Sequence, residues 1–125
     1  MANIKSTIDP SKDLTVHTIA GKITADEIVD HLEKYYSSEK PTKNMMWDFT
    51  KAKGEKIPSD GIMKIAKTRK KFDDSRKGGR TALVFSRDVG YGLGRMYETH
   101  ATYEGSSINY SIFYNIDDAL KWLEA

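Results

Sequence analysis

The sequence predicts a single α/β domain whose strands and helices follow the order ββαβαβαβα. The first observation is the run from Thr81 to Phe85, which lacks polar alternation, as in a parallel strand covered on both faces. The second is a helical spacing just after it, which places five residues on one helix face: Leu93, Met96, Tyr97, His100 and Ala101. Strand-helix units recur along the chain and favour a mainly parallel sheet with right-handed crossovers.

The first two strands are predicted to form an antiparallel hairpin at the N-terminal edge of that sheet. Polar and apolar residues alternate over 3–8, which indicates a half-exposed strand. Residues 9–13 are a turn cluster with one proline, and residues 14–20 predict the second strand. Gly21 is expected to end that strand.

The first helix, predicted over 24–36, has the clearest start signal in the chain. Thr24 and Glu27 form a capping box, in which each side chain reaches the other's free backbone amide. Ile23 and Ile28 stand at the two positions of a hydrophobic staple. We assign this helix a structural role.

The remaining elements continue the alternation of strand and helix. They are a third strand over 45–49, a loop over 50–58, a second helix capped by Ser59, a fourth strand over 81–85, a third helix over 93–101, a fifth strand over 110–114 and a final helix capped by Asn115. No repeat or long linker divides the chain, so residues 1–125 form one predicted domain.

Composition excludes several classes of protein. The 125 residues include no cysteine, so disulfides and thiolate metal sites are excluded. No apolar run approaches a membrane span, and no signal-peptide pattern opens the chain, so we expect a soluble cytoplasmic protein. A net charge of +2 does not by itself indicate a polyanion partner.

The segment from Lys64 to Arg80 is the most basic part of the chain, with eight positive and two negative side chains. Its simplest interpretation is a solvated helix face, and its alternative is a surface for an acidic partner or an anionic membrane. Sequence-specific nucleic-acid recognition is not expected, since neither a wider basic surface nor a stacking motif is present.

The order of elements resembles the SpoIIAA-like (STAS) fold, and more narrowly the small bacterial SpoIIAA-like proteins related in fold to lipid-binding SEC14-type domains. The resemblance spans nearly the whole chain. It is carried by Gly21-Lys22-Ile23-Thr24 with Glu27, Trp47-Asp48-Phe49, Gly79 to Val84, Gly90-Tyr91-Gly92 with Arg95-Met96, and Ala119 to Leu123. It implies the fold more strongly than any activity, because members of this group largely lack known activities.

Ser59 is where the resemblance implies a regulatory role. In the anti-sigma-factor antagonists of this fold, a serine at the start of the second long helix is phosphorylated by a partner kinase, and Ser59 stands at the corresponding place. Those proteins carry a compact Asp-Ser-Ser-Gly type motif close behind the strand. Here the loop 50–58 intervenes and only Ser59-Asp60-Gly61 remains, so a plain N-cap is the competing interpretation.

Catalytic and metal-binding motifs are not found in the sequence. His17, His31 and His100 lie on separate predicted elements, and none has a metal-ligand spacing. The chain has no G-x-S-x-G elbow. Its G-x-G-x-G run at residues 90–94 differs from the dinucleotide fingerprint and lies late in the chain. We therefore expect no enzyme activity, no cofactor and no metal.

The loop over 86–95 is the predicted ligand site. It follows the carboxyl end of a central strand, where open α/β sheets bind ligands, and it leads into a helix N-terminus that favours an anionic group. Asp88 as a helix cap, and close packing at the glycines, are the competing explanations. The predicted site residues are Arg87, Asp88, Gly90, Tyr91, Gly92 and Arg95, with Trp47, Asp48 and Ser59 as neighbours.

Two classes of function are consistent with these features. The first is a non-enzymatic module that binds an apolar or amphipathic, lipid-like ligand with an anionic head group. The second is a regulatory protein-interaction module of the anti-sigma-factor-antagonist type, acting through the loop and helix around Ser59. A homodimer is also expected, because the seven tyrosines and two tryptophans favour an apolar surface.

Overall fold

A computed structural model describes residues 3–38, 41–53, 59–86 and 108–125. Its strands are β1 (Asn3–Asp9), β2 (Leu14–Lys22), β3 (Asn44–Lys53), β4 (Arg80–Val84) and β5 (Asn109–Phe113), and its helices are α1 (Ala25–Ser38), α2 (Ser59–Lys70) and α3 (Ile116–Glu124). Every predicted strand is present, and so are the predicted helices that fall within these ranges. The helix predicted over 93–101 lies outside the described residues.

The five strands form one sheet in the order β1-β2-β3-β4-β5. The β1–β2 pair is antiparallel, and the β2–β3, β3–β4 and β4–β5 pairs are parallel. The mainly parallel sheet with an antiparallel N-terminal edge strand is therefore confirmed. One row of paired residues crosses all five strands and runs from polar to apolar: Ser6, His17, Trp47, Leu83 and Ile112.

Two strands are longer than the sequence indicated. Gly21 was expected to end β2, and residues 50–58 were expected to be loop, but β2 runs to Lys22 and β3 runs to Lys53. A register shift between Thr18 and Ala20 lets the two strands continue to pair. Gly21 has φ +84°, a conformation that glycine adopts without a steric penalty, so the strand bends there and does not stop.

The start signals of the helices behave as predicted. The Glu27 amide donates to Thr24 Oγ1 and the Thr24 amide donates to Glu27 Oε1, both at 3.2 Å, which completes the capping box. At α3, the Asp118 amide donates to Asn115 Oδ1 at 2.8 Å. Each contact satisfies an amide that the helix itself leaves without a partner.

Each face of the sheet carries its own core. On one face, α1 and α2 cover residues from the interior strands, and the buried members are Ile19, Ile28, Val29, Leu32, Tyr35, Met45, Trp47, Ile65, Leu83 and Phe85. On the other face, α3 covers a smaller cluster made of Leu14, Met46, Ala82, Val84, Ala119 and Leu123. Successive strand residues alternate between the two cores, as the pleat requires.

The basic segment 64–80 is only partly the solvated face that its charge suggested. Lys67, Lys70 and Lys71 are exposed. Arg69 and Arg76, however, are each only 2% exposed. Arg69 pairs with Asp73 four residues later, and its guanidinium lies 5.1 Å from the centre of the Tyr110 ring. Arg69 and Arg76 are therefore not part of a solvated face.

Arg76 holds the amino ends of two parallel strands together. Its Nε donates to the Thr42 carbonyl and its Nη2 donates to the carbonyls of Lys43 and Arg80, each at 3.0 Å. Thr42 and Lys43 immediately precede β3, and Arg80 is the first residue of β4. A buried guanidinium with several fixed donors is suited to satisfying clustered carbonyls that would otherwise lack partners.

The backbone passes very close to itself beside Arg76. A Cβ added at Gly79 would lie 2.0 Å from the Lys43 carbonyl oxygen and 2.8 Å from that of Arg76. At Gly78 a Cβ would meet nothing within 4 Å, although its φ of +79° disfavours other residues. Gly79 is therefore required for close approach, whereas Gly78 is required only for its backbone conformation.

We expect Gly79→Ala to lower the free energy of unfolding by about 3 kcal/mol, since the new methyl group must displace a backbone carbonyl. Gly78→Ala is the matched control and should lower it by only about 1 kcal/mol, for the left-handed conformation alone. Urea unfolding followed by circular dichroism measures both. Equal losses in the two variants would show that close packing at Gly79 does not matter.

Candidate functional site

A row of aromatic side chains lies on the α1/α2 face and leads to the carboxyl end of β4. The ring centroids of Trp47 and Phe49 are 6.2 Å apart, and those of Phe49 and Phe85 are 4.8 Å apart with the ring planes within 6° of parallel. Trp47 and Phe85 are buried, whereas Phe49 is half-buried. Of these three rings, Phe49 alone therefore keeps part of its surface exposed, where β4 stops and β3 continues.

A polar cluster of three side chains lies at the other end of this row. His17 of β2 is paired across the hairpin with Ser6 of β1, and His31 reaches them from α1. Ser6 Oγ lies 2.7 Å from His17 Nδ1 and 2.9 Å from His31 Nε2, and the two nitrogens are 3.0 Å apart. We call this group the Ser6–His17–His31 cluster.

His17 is enclosed by rings. Its centroid is 4.3 Å from that of Trp47, 4.8 Å from that of His31 and 5.0 Å from that of Tyr35. Its side chain has no exposed surface. Among the residues that the structure describes, its Nε2 has no hydrogen-bond partner.

Burial makes both imidazoles of the cluster hard to protonate. Desolvation, together with electrostatic repulsion from His31 and Arg76, lowers the pKa of His17 to about 3. Partial burial also lowers the pKa of His31, and Lys34 acts in the same direction. Both rings are therefore neutral at pH 7. An imidazole with so low a pKa is a weak general base, which argues against Ser6 acting as a nucleophile activated by His17.

A chain of buried hydroxyls fixes Tyr35 beside His17. The Thr42 hydroxyl donates to the Asn44 carbonyl at 2.7 Å, so Thr15 must donate to Thr42 Oγ1, also at 2.7 Å. The Thr15 proton is then used, and the Tyr35 hydroxyl must donate to Thr15 Oγ1 at 2.8 Å. Every hydroxyl of this chain thus has an assigned direction, and the Tyr35 ring is held in place.

The structure separates two residues that the sequence analysis grouped together. Trp47 belongs to the α1/α2 core, whereas Asp48 pairs with Val84 of the opposite core and faces that side. The Asp48 carboxylate is buried and accepts hydrogen bonds from the Thr50 amide at 2.9 Å and the Thr50 hydroxyl at 2.6 Å. Both bonds lie within β3, where its register with β2 shifts, and Asp48 and Trp47 face opposite sides of the sheet.

The other predicted site residues are less fully described. Ser59 is the first residue of α2, as the predicted helix start requires. Arg87, Asp88, Gly90, Tyr91, Gly92 and Arg95 lie outside the described residues. The predicted head-group site at 86–95 therefore stays a prediction.

The Ser6–His17–His31 cluster was missed because its members were judged separately. The predicted hairpin turn at 9–13 already places residue 6 opposite residue 17 if the turn is tight, as the observed register shows. His31 lies three residues after Ile28 and four before Tyr35, on the edge of the buried stripe of α1. Only the position of α1 on the sheet, which depends on packing, could not be obtained from spacing.

The described residues contain neither a metal-binding group of acidic and histidine side chains nor a membrane-spanning helix. Within 3–38, 41–53, 59–86 and 108–125, no group of three or more His, Asp or Glu side chains is arranged to hold a metal ion. Over the same ranges, no helix is both long and apolar enough to cross a membrane.

The fold defines an α/β protein with helices on both faces of one mainly parallel sheet. Among solved structures, it is similar to an uncharacterised DUF3478-family protein from Shewanella loihica PV-4, whose crystal structure has a SpoIIAA-like fold. The TM-score is 0.60 at 17% identity, covering 98% of this chain and 93% of that one. No family model matches the sequence, and no curated protein matches it. The chain therefore has the SpoIIAA-like fold that its sequence predicted.

The buried neutral state of His17 predicts a specific pH dependence of stability. The pKa of His17 is about 3 in the folded protein and about 6.5 in the unfolded chain, so the stabilisation is present above pH 6.5 and is lost as the pH falls towards 3. Between pH 7 and pH 5 we expect His17 to account for a loss of about 2 kcal/mol in the free energy of unfolding.

Urea unfolding at several pH values measures this loss, with His17→Gln as the comparison, because glutamine keeps a polar side chain but does not titrate. The variant should show a correspondingly flatter dependence on pH. A wild-type protein and a variant with parallel pH profiles would contradict the assignment to His17.

Proposed function

We propose that this protein is a non-enzymatic binding module for an amphipathic ligand with an anionic head group. The single observation that carries the proposal is the stacked pair of Phe49 and Phe85, which is partly open at the carboxyl end of β4. The apolar part of the ligand packs against these rings. Its anionic group reaches the amides and arginines of the following loop, residues 86–95.

The two ends of the parallel strands differ in a way that supports this location. Ligands of open α/β sheets bind outside the carboxyl ends of the strands. At the amino ends, Arg76 fills the space between β3 and β4, and Gly79 lies against the Lys43 carbonyl. At the carboxyl end, the chain leaves Phe85 through the exposed Ser86 and enters the glycine-containing segment.

The ligand class follows from the side chains available at this end. Aromatic rings bury a large apolar area, and a half-buried ring keeps part of that area open to a partner. Arg87 and Arg95 would add positive charge next to glycines that leave backbone amides accessible. Acidic amphiphiles such as fatty acids carry both features. The resemblance to lipid-binding SEC14-type domains points to the same class.

The alternative is a regulatory module that acts through Ser59. The observation in its favour is that Ser59 begins α2, which is where the anti-sigma-factor antagonists of this fold carry their phosphorylated serine. The missing compact motif and the intervening loop argue against it. A homodimer is compatible with either function and stays a prediction.

The proposal predicts that Phe49→Ala weakens binding of dodecanoate at least about tenfold, because truncation removes most of an apolar contact surface. Phe113→Ala is the matched control. Phe113 is also a half-buried strand aromatic, but it packs on Trp122 of the opposite face, with centroids 5.6 Å apart. The affinity of this control variant should remain within about twofold of the wild-type value.

Amide NMR during the titration measures affinity and location together. We expect shifts at Phe49, Phe85 and Ser86, and at the amides of residues 88–93 that receive the anionic group. Arg87→Ala and Arg95→Ala should weaken binding further, and inorganic phosphate alone should bind less tightly than dodecanoate. Equal effects of Phe49→Ala and Phe113→Ala, or unchanged amides at 88–93 in the bound state, would reject this site.

A further inference from the structure

The Ser6–His17–His31 cluster places three donor atoms at the corners of a nearly equilateral triangle. The sides are 2.7 Å, 2.9 Å and 3.0 Å, joining Ser6 Oγ, His17 Nδ1 and His31 Nε2. Two ligand atoms at about 2.0–2.1 Å from a metal, with bond angles between right and tetrahedral, are separated by roughly 2.9–3.4 Å. The sides of 2.9 Å and 3.0 Å fall within this range, and the 2.7 Å side between Ser6 Oγ and His17 Nδ1 is slightly shorter.

Three separate hydrogen bonds cannot account for all three sides of this triangle. An imidazole nitrogen has one in-plane lobe, which is either an N–H or a lone pair, and a hydroxyl has one proton. Ser6 can accept from one nitrogen and donate to the other, which accounts for two sides of the triangle. Two protons thus serve three sides, because the third side, between His17 Nδ1 and His31 Nε2 at 3.0 Å, is closed only if one ring N–H is shared between two acceptors.

We propose that this cluster is a binding site for a divalent first-row transition ion of the zinc, nickel and copper class. His17 Nδ1, His31 Nε2 and Ser6 Oγ are its protein ligands, and water completes the coordination. Imidazole selects this class of ion, whereas magnesium and calcium require oxygen ligands. The site is independent of the proposed amphiphile site and lies at the opposite end of the aromatic row.

The cluster is accessible to such an ion, since Ser6 is exposed and His31 is half-buried. The positive charges of Lys34 and Arg76 act against a cation here, so binding depends on the three ligand contacts alone.

Coordination would also fix the tautomer of the buried His17. A metal on His17 Nδ1 requires the proton of that ring to sit on Nε2. It would connect β1, β2 and α1 through one centre, which fastens the edge hairpin to the helix. Binding to the folded state alone would raise the thermal midpoint as the metal concentration rises.

The test is a titration of the intact protein with Zn²⁺, followed by calorimetry and by NMR of the ring nitrogens. We expect one Zn²⁺ per chain, with shifts at His17 Nδ1 and His31 Nε2, and His17 in the Nε2–H form. His31→Gln should weaken binding at least about tenfold, since loss of a ligand should cost no less than loss of an outer partner. Ser6→Ala should weaken it by a smaller factor.

The chain supplies a matched control, because it has three histidines and no cysteine. His100→Gln removes the one imidazole that is not a proposed ligand and should leave Zn²⁺ affinity unchanged. Mg²⁺ in excess should not displace Zn²⁺. The ring-nitrogen shifts are measured on the wild-type protein, so this part of the test does not depend on whether the variants fold. Absence of Zn²⁺ binding, ring shifts at other nitrogens, or loss of binding in His100→Gln but not in His31→Gln would overturn the proposal.

Discussion

The buried guanidinium of Arg76 is the contact on which the arrangement of the sheet depends. It satisfies carbonyls just before β3 and at the start of β4, so the two interior strands begin side by side and stay in register. Gly79 allows the backbone to come close enough for this contact. At the carboxyl ends of these strands, the half-buried Phe49 stacks on the buried Phe85.

The same face carries two chemically different regions joined by Trp47. Towards β1, Trp47 contacts the buried His17 and its polar partners, and towards β4 it stacks on Phe49. Burial favours the neutral form of the histidines, and a chain of hydrogen-bonded hydroxyls ends at the neighbouring Tyr35. The polar end and the aromatic end of this face are the two regions for which we propose different ligands.

The fold could be predicted from the sequence because the signals for its elements are local. The capping box at Thr24, the cap at Asn115 and the unalternating run at 81–84 each act over a few residues. Contacts between segments far apart in the sequence could not be predicted in this way. The burial of Arg76 requires carbonyls more than thirty residues away, and the contact between His17 and His31 depends on how α1 lies on the sheet. Asp48 was grouped with Trp47 by position, although strand alternation places the two on opposite faces.

Native mass spectrometry of the protein purified from its own cells distinguishes a ligand-binding module from a regulatory one. We expect an adduct of one small acidic amphiphile per chain, which is lost on denaturation, and a polypeptide mass without phosphate. A chain that carries phosphate on Ser59 and remains bound to a protein partner, with no small molecule, would contradict the ligand-binding proposal and support the regulatory function.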